Sequence, residues 1–186
     1  MSNHATIRSE RVDDVAAVFD IHAAAFPTHA EAKLVDQLRD AGAGTIRLVA
    51  EIEGEGGVQV VGHIVFSPVR ITDAAGQDHA TSIRGLGLAP VAVLPAIQHQ
   101  GIGAQLIRAG LDAARDEHDA DYVIVLGEPA YYARFGFQTA SGFGLGNIYG
   151  VDEHFMAIVI RPDALKDLGS GLAGVVRFHA AFDAMG

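Results

Sequence analysis

Residues 87–111 constrain the fold more strongly than any other stretch of this chain. Residues 88–94 form an apolar run of a length typical of one buried strand. Pro95 ends that strand, because proline has no N–H to donate to a neighbouring strand and its φ angle is fixed. A turn that contains Gly101 follows, and apolar residues then recur at the spacing of an amphipathic helix. This order of strand, turn and helix predicts a row of unpaired backbone N–H groups at a helix N-terminus.

Such a helix N-terminus attracts anions through its unpaired N–H groups and its dipole. Gly101 and Gly103 lack the Cβ atoms that would hold a phosphate away from the backbone. The dinucleotide motif G-x-G-x-x-G fails at Leu106, and the chain contains no G-K-S or G-K-T triplet of a P-loop. The pattern Q/R-x-x-G-x-G/A does fit, with Gln98 as its first residue. We therefore interpret the turn as a pyrophosphate-binding site, with an ordinary helix-start turn as the alternative.

Length and composition limit the classes to which the chain can belong. A chain of 186 residues is long enough to bury a core and favours a single domain. The formal net charge of -10 argues against a nucleic-acid-binding surface, which needs clustered Lys and Arg. The absence of cysteine excludes disulfides, thiolate metal sites and a cysteine nucleophile. Because no apolar run approaches about 18 residues and no signal-peptide pattern is present, we expect a cytoplasmic protein that does not insert into a membrane.

The remaining patterns in the first two thirds of the chain predict a mixed sheet with helices on both faces. Because a helix at about 101–118 separates the strand at 88–94 from a strand at 121–126, these two strands should be parallel neighbours. The other predicted elements are a strand at 6–9, a helix at 15–26 capped by Asp13 or Asp14, a helix at 30–41 with Leu34, Val35 and Leu38 as its core stripe, and a hairpin of strands at 47–52 and 58–71.

The last third of the chain has a less regular pattern. A short helix begins at Glu128-Pro129, because proline is favoured in the first turn of a helix. The glycine-rich segment 141–150 is expected to be a loop, either a lid over an active-site cleft or a plain connection. The other predicted elements are a strand at 155–160, a weak helical segment after Pro162 and a final strand at 175–182.

Three stretches together resemble the GNAT superfamily of N-acetyltransferases. The first is the strand, turn and helix around Gln98-x-x-Gly101-x-Gly103. The other two, VLGEPAYYARFGF at 125–137 and AFPTHAEAKLVDQLRDAG at 25–42, are similar to a bacterial subgroup of predicted N-acetyltransferases. The resemblance implies an α/β fold in which a central mixed, mostly antiparallel sheet is flanked by helices, and a single GNAT domain over residues 1–186.

The resemblance also implies acetyl-CoA as co-substrate. Backbone groups of Val91 and Val93 would pair with the pantetheine arm as though it were another strand. The N–H groups from His99 to Ala104 would hold the pyrophosphate. Many relatives carry Arg or Lys where this chain has His99 and Gln100, so the charge attraction for CoA is weaker here. The implied cofactor-binding residues are Val91, Ala92, Val93, Gln98, His99, Gln100, Gly101, Ile102, Gly103 and Ala104. No metal is expected, because the histidines lack the spacing of a metal site.

By the same resemblance, Tyr132 is the general acid that protonates the departing CoA thiolate. Tyr131 is adjacent but would project about 100° away on a helix, so only one of the two tyrosines can face the sulfur. The amine would attack the thioester carbonyl directly, while the N–H of Val93 stabilises the developing oxyanion. The alternative is that both tyrosines are packing residues, as we expect for Phe135 and Phe137.

A general base is harder to identify, because residues 86–94 contain neither a carboxylate nor a histidine. The candidates are Glu51, His63, Glu128 and His154. A histidine satisfied within the core is the commoner explanation for His63, which follows a glycine in an apolar strand. Glu128 has a simpler interpretation too, as a residue that caps its helix.

The sequence thus predicts an acetyl-CoA-dependent N-acetyltransferase that acts on a primary amine of a small molecule or a peptide. The acidic balance weakly favours a cationic acceptor through electrostatic steering. The alternative is a non-catalytic acyl-CoA-binding sensor or interaction module. We expect no nucleic-acid or membrane partner, and a homodimer is compatible with the sequence.

Overall fold

The computed structural model describes residues 5–54, 56–79, 82–168 and 174–185. These residues form two compact units. Unit 1 comprises the described residues up to Ser67 together with Ala89–Ala113 and the residues from Ala180 onward, and unit 2 comprises Pro68–Leu88 and Ala114–His179. The chain therefore passes between the units several times, and neither unit is one contiguous segment. The single domain over residues 1–186 stays a prediction.

The described residues contain ten strands and four α-helices. In order they are β1 (Thr6–Ser9), α1 (Val15–Ala25), α2 (Ala30–Asp40), β2 (Ile46–Gly54), β3 (Gly57–Thr72), β4 (Asp78–His79), β5 (Gly85–Val93), α3 (Ile102–Asp116), β6 (Tyr122–Leu126), α4 (Pro129–Tyr132), β7 (Gln138–Thr139), β8 (Leu145–Asn147), β9 (Phe155–Val159) and β10 (Gly174–Arg177). The elements predicted up to α4 all appear, with bounds that differ by a few residues.

In unit 1, β1, β2 and the first part of β3 form an antiparallel ladder. Arg8 of β1 lies opposite Val49 of β2, and Leu48 of β2 lies opposite Ile64 of β3. The predicted core stripe of α2 is confirmed, since Leu34, Val35 and Leu38 are buried in one cluster with residues of α1, β2 and β3. This spacing of three and four residues is what places one helix face on the sheet.

The start of α1 differs from the expected capping arrangement. Asp14 occupies the N-cap position, but its side chain makes no hydrogen bond to the helix N-terminus. The carboxylate instead accepts hydrogen bonds from the guanidinium of Arg8 at 2.6 and 2.9 Å and from the N–H of Arg11 at 2.6 Å. A charged partner competes successfully with uncharged backbone donors, because charge-assisted hydrogen bonds are the stronger ones.

The helix α3 packs closely on β3 in unit 1. A Cβ atom added at Gly62 would lie 3.1 Å from Leu106 Cδ1, and one added at Gly110 would lie 2.3 Å from Phe66 Cε2. Glycine at these positions lets the helix approach the strand. The N–H of Leu94 donates a 2.9 Å hydrogen bond to the carbonyl of Val61, so the end of β5 lies beside the same part of β3.

Unit 2 contains both parallel and antiparallel pairs. Gly85–Gly87 of β5 pairs in parallel with Tyr122–Ile124 of β6, as the sequence predicts, and β9 pairs antiparallel with β6 and β7. The strand β10 pairs antiparallel with β3 and parallel with β8. The predicted fold class, an α/β fold with a mixed sheet and flanking helices, is confirmed.

Three predictions for the last third of the chain are wrong in part. Segment 141–150 is not a loop throughout, because it contains the end of a 3-10 turn (Ala140–Phe143) and strand β8. Up to residue 168, where the description is interrupted, the segment after Pro162 contains turns and a 3-10 turn at Lys166–Leu168 in place of a helix. The last strand ends at Arg177, and Ala180–Met185 forms a 3-10 turn that packs against the α2 core.

The close approach of α3 to β3 makes Gly110 sensitive to substitution. We expect Gly110→Ala to lower the free energy of unfolding by about 1–3 kcal/mol, because the new methyl group overlaps the Phe66 ring. Gly142→Ala is the matched control, since a Cβ there meets no atom within 4 Å. Urea unfolding measures both changes. If Gly110→Ala were as stable as the wild type, or if adding Phe66→Leu gave it no relief, the close packing would be wrong.

Candidate functional site

The turn between β5 and α3 is built from backbone angles that few residues adopt. After a 3-10 turn at Pro95–Ile97, His99 has φ +63° and Gly101 has φ +87°. Both angles lie in the left-handed region, which glycine enters freely and other residues seldom do. A Cβ added at Gly101 would meet no atom within 4 Å, so the space before the turn is open. The glycine was singled out in the sequence, but the left-handed histidine carries no sequence signal.

The helix α3 begins directly after this turn, at Ile102. The first N–H to bond back along the chain is that of Gln105, which donates to the carbonyl of Gly101 at 3.1 Å. By helix geometry, the N–H groups of Ile102, Gly103 and Ala104 have no partner within the helix. They are the donors of the predicted pyrophosphate site, and the α3 dipole adds a partial positive charge there.

Gln98 has a contact that the sequence does not predict. Its side-chain Nε2 donates a 3.0 Å hydrogen bond to the carbonyl oxygen of Val93. This bond joins the turn to the last residue of β5. In the structure Gln98 therefore positions the turn, and its predicted contact with the cofactor stays a prediction.

The predicted pantetheine strand lies at the end of β5. Ala92 and Val93 are buried and Val91 is half-buried. The pairing of β5 with β6 covers Gly85–Gly87, whereas β5 itself continues to Val93. The predicted cofactor-binding residues from Val91 to Ala104 thus follow one another through the strand end, the turn and the first turn of α3, all within unit 1.

Tyr132 belongs to unit 2, at the end of the short helix α4. It is 8% exposed, whereas the adjacent Tyr131 is half-buried and has the Arg134 guanidinium 4.1 Å from its ring centre. Tyr132 packs edge-on to Phe137, with ring centres 5.7 Å apart, and against the backbone of Gly127. Burial, with a smaller contribution from Tyr131, raises the pKa of Tyr132 to about 12. The phenol is therefore protonated at neutral pH, as a proton donor must be.

Two of the four candidate bases, Glu51 and His154, have simple structural partners, and a third, Glu128, does not cap its helix as expected. Glu51 pairs with Arg8, whose Nε donates to Oε1 at 2.8 Å. Glu128 is exposed at the start of α4, and its side chain makes no capping hydrogen bond. His154 is exposed, with its Nδ1 3.3 Å from the carbonyl of Gly127.

The fourth candidate, His63, is part of a buried network in unit 1. Its Nδ1 lies 2.9 Å from His22 Nε2, and its Nε2 lies 2.9 Å from Glu10 Oε2. The second contact is at ion-pair distance but departs from a straight hydrogen bond. Glu10 Oε1 accepts a 2.8 Å hydrogen bond from Nε of Arg39. Both histidines are 0% exposed and the Glu10 side chain is 3% exposed. The sequence analysis noted neither Glu10 nor Arg39, because the members come from distant parts of the chain.

The charges of this network follow from burial and from the partners. Burial alone would raise the pKa of Glu10, but His63 and Arg39 outweigh it and lower the pKa to about 2. Burial, followed by the proximity of His63, lowers the pKa of His22 to about 3. Burial also lowers the pKa of His63, although Glu10 acts in the opposite direction. At neutral pH the network therefore contains an ionised carboxylate, a guanidinium and two neutral imidazoles.

Two classes of site are not found in the described part of the chain. No three His, Asp or Glu side chains there are grouped so that they could hold a metal ion. Within the same residues, no helix has the length and apolar character needed to cross a bilayer.

Comparison with known proteins supports the resemblance seen in the sequence. A model of the acetyltransferase (GNAT) family matches residues 15–137. The uncharacterised N-acetyltransferase YhbS of Escherichia coli K12 is 36% identical over 178 residues, which cover 95% of this chain and 98% of YhbS.

Two solved structures are similar over nearly the whole chain. E. coli YhbS in complex with CoA has a TM-score of 0.82 and 35% identity, covering 100% of this chain and 96% of that one. A GNAT family acetyltransferase from Brucella melitensis in complex with acetyl-CoA has a TM-score of 0.73 and 38% identity, covering 97% of this chain and 99% of that one.

The neutral state of the buried His22 makes stability depend on pH. In the unfolded chain the imidazole binds a proton near its ordinary pKa of 6.5, whereas the folded protein excludes that proton until about pH 3. The contribution of His22 to stability is therefore present above pH 6.5 and is lost as the pH falls toward 3, by up to about 1.4 kcal/mol per pH unit.

This dependence can be measured by urea unfolding between pH 7 and pH 5. We expect His22→Gln to have a shallower loss of unfolding free energy than the wild type, because one titrating group has been removed. His79→Gln is the control, since His79 is exposed on the surface. Equal slopes for the wild type and His22→Gln would show that His22 is not held neutral in the folded state.

Proposed function

This chain belongs to the GNAT family of acetyltransferases, and on that premise we propose that it transfers the acetyl group of acetyl-CoA to a primary amine of a small molecule or a peptide. Members of the family are acetyl-CoA-dependent acyltransferases. The observation that carries the proposal for this chain is the turn before α3, where Gly101 has φ +87° and open space before it. Backbone donors at that position are suited to a phosphate group.

The pyrophosphate of CoA would be held by N–H groups from His99 to Ala104. One feature supports this assignment, and another means that the binding has to be local. The helix α3 is 15 residues long, so its N-terminus carries the full dipole effect. The chain has a net charge of -10, so its overall field repels an anion and the attraction has to come from local donors.

The pantetheine arm would lie along the end of β5, beside Val91 and Val93. The support is that β5 extends past its pairing with β6, so that an extended ligand can add to the strand as another strand would. The carbonyl of Val93 already accepts the hydrogen bond from Gln98. Its N–H is the group that we assign to the carbonyl oxygen of the acetyl group.

When bound, acetyl-CoA supplies a thioester whose carbonyl carbon the neutral amine can attack. The N–H of Val93 would donate to the carbonyl oxygen as negative charge develops on it. Tyr132 would donate its phenolic proton to the sulfur as the carbon–sulfur bond breaks. Because burial raises the pKa of Tyr132 to about 12, the phenol keeps its proton at neutral pH and is available as a donor.

The acceptor is proposed as a primary amine, because this is the group that GNAT N-acetyltransferases modify. The acidic balance of the chain favours an acceptor that carries positive charge before it enters the site. Such an acceptor must lose a proton before it can attack, so the reaction at neutral pH needs a base.

The phosphate site can be tested at Gly101. We expect Gly101→Ala to weaken CoA binding about tenfold or more, because alanine strains the left-handed turn and shifts the N–H donors. Gly57→Ala is the matched control, since Gly57 also has a positive φ and open space around it but lies in the β2–β3 hairpin. Isothermal titration calorimetry with CoA measures both variants. Equal CoA affinity in Gly101→Ala and the wild type would place the pyrophosphate elsewhere.

The acid role can be tested with Tyr132→Phe and with Tyr131→Phe as the matched control. We expect Tyr132→Phe to lower kcat for thiol release from acetyl-CoA about 100-fold, with CoA affinity little changed, because only the proton donor is lost. Tyr131→Phe should stay within a few-fold of the wild type. The assay needs a panel of primary amines and a protein-free control.

The same assay separates the transferase from a module that only binds acyl-CoA. A wild-type protein that binds acetyl-CoA but releases no thiol above the protein-free rate with any amine would contradict the transferase. Wild-type turnover in Tyr132→Phe would remove Tyr132 from the acid role, once single-turnover measurements show that chemistry limits the rate.

A further inference from the structure

His99 has a backbone conformation that its own side chain does not explain. Its φ of +63° lies in the left-handed region, which is unfavourable for residues that carry a Cβ. The imidazole is exposed, so burial of the side chain does not offset this strain. Strain of this kind persists only where surrounding contacts impose it, and it is concentrated at binding and catalytic sites. The contacts of the preceding residue, Gln98, impose it here.

Gln98 is held at two points, so the direction of the chain that enters the turn is fixed. Its side-chain Nε2 donates to the carbonyl of Val93 at 3.0 Å, and its N–H donates to the carbonyl of Pro95 at 3.4 Å. Gln98 is half-buried and Val93 is 9% exposed, which shields the first of these bonds from water. The end of β5 is itself fixed to β3, because the N–H of Leu94 donates to the carbonyl of Val61 at 2.9 Å. The chain therefore enters the turn from an anchored position.

The chain leaves the turn at an equally fixed position. Ile102 begins α3, and the close packing of that helix holds it against β3. Residues 99–101 alone must connect the two anchored ends. Gly101 is left-handed at φ +87° without strain, whereas His99 is left-handed at φ +63° with it. The short connection between two fixed ends is therefore the physical reason for the strain.

The left-handed residues determine where the N–H groups of the turn point. Successive N–H groups around such residues can face one concave side of the chain, an arrangement that suits an anion. The N–H groups from His99 to Ala104 are those that we assign to the pyrophosphate. If His99 left the left-handed region, the donors of residues 99–101 would turn away from those of α3, and fewer donors would face the ligand.

Resting on the CoA site proposed above, we propose that Gln98 is a positioning residue that acts on the phosphate donors through His99. Its hydrogen bond to Val93 offsets the cost of the left-handed His99 and keeps the turn in the binding conformation before CoA arrives. Without that bond residues 94–98 can shift, the strain is relieved, and the binding conformation becomes a minor state. The affinity for CoA then falls in proportion to the fraction of molecules that keep the binding conformation. This role does not require contact between Gln98 and the cofactor.

A double-mutant cycle between Gln98→Met and His99→Gly tests this role. Methionine has nearly the length of glutamine but cannot donate to Val93, and glycine adopts the left-handed conformation without strain. We expect Gln98→Met to weaken CoA binding about fivefold to tenfold, which is the effect of one uncharged hydrogen bond. In the His99→Gly background the same change should weaken binding by about twofold or less, because the turn has no strain to release. Isothermal titration calorimetry measures all four proteins.

A fragment of the cofactor shows on which part of the ligand the effect acts. The fragment 3′-phospho-ADP contains the pyrophosphate of CoA but no pantetheine, so in Gln98→Met its affinity should fall by the same factor as that of CoA. Gln59→Met is the matched control, since Gln59 is exposed in the β2–β3 ladder opposite Ile52. This control should bind both ligands as the wild type does. Gln98→Asn is a second variant, which keeps the amide but is shorter by about 1.5 Å, and it should show the same loss as Gln98→Met.

The conformation of His99 can be measured without any ligand. In NMR spectra the distance between the N–H proton and the Hα proton of one residue is shorter at positive φ than at negative φ. We expect the short distance at His99 in the wild type and in Gln59→Met, and a longer averaged distance in Gln98→Met. A long distance in the wild type, or an unchanged short distance in Gln98→Met, would overturn the proposal whether or not the protein binds CoA.

The outcomes of the binding cycle separate the proposals. Wild-type affinity in Gln98→Met would overturn the role of Gln98, and so would an equal loss in both backgrounds, which would indicate direct contact with the ligand. A loss for CoA but not for 3′-phospho-ADP would assign the effect to the pantetheine arm and would overturn the role too. A wild type without CoA binding would contradict the CoA site and, with it, this role. A wild type that binds CoA without thiol release would contradict the transferase alone.

Discussion

The close packing of α3 on β3 is the constraint on which the candidate site depends. Two glycines, Gly62 and Gly110, leave room for Leu106 and Phe66 between the helix and the strand. The distance between helix and sheet, and therefore the position of Ile102 at the helix start, is set by these contacts. The hydrogen bond from Leu94 to Val61 fixes the end of β5 to the same strand. Backbone donors bind a ligand well only if the supporting contacts hold them in place beforehand, and here the core of unit 1 does so.

A second constraint is the cost of burying charge. The Glu10–Arg39 pair and the two histidines lie where apolar residues would pack without a desolvation penalty. An ion pair of this kind adds little to stability over a hydrophobic replacement, yet removal of one member leaves an uncompensated charge. The carboxylate of Glu10 has both a guanidinium and an imidazole within 2.9 Å, and these partners keep it ionised despite its burial.

The predictable parts of this protein are those that depend on near neighbours in the sequence. The apolar spacing of Leu34, Val35 and Leu38 predicted the buried face of α2, and the apolar run ended by Pro95 predicted β5 and the turn before α3. The fold class and the family followed from motifs in such local segments. Strand β8 escaped prediction because its ladder partner, β10, lies far along the chain. The network around His63 escaped prediction for the same reason, because its members come from four separate elements. Glu10 directly follows β1, and α1, α2 and β3 contribute His22, Arg39 and His63. The assigned roles of Val91 to Ala104 and of Tyr132 stay predictions.

Burial acts in opposite directions on the pKa values of Tyr132 and His22. It raises the pKa of Tyr132 to about 12, because the phenolate is the charged form of tyrosine, and it lowers the pKa of His22 to about 3, because the imidazolium is the charged form of histidine. The same loss of solvation therefore keeps a proton on one group and keeps it off the other at neutral pH. The protonated phenol of Tyr132 is the state that the proposed proton donor needs. The neutral imidazole of His22 avoids a further buried charge beside the Glu10–Arg39 pair, and its exclusion of a proton makes the stability of the fold depend on pH.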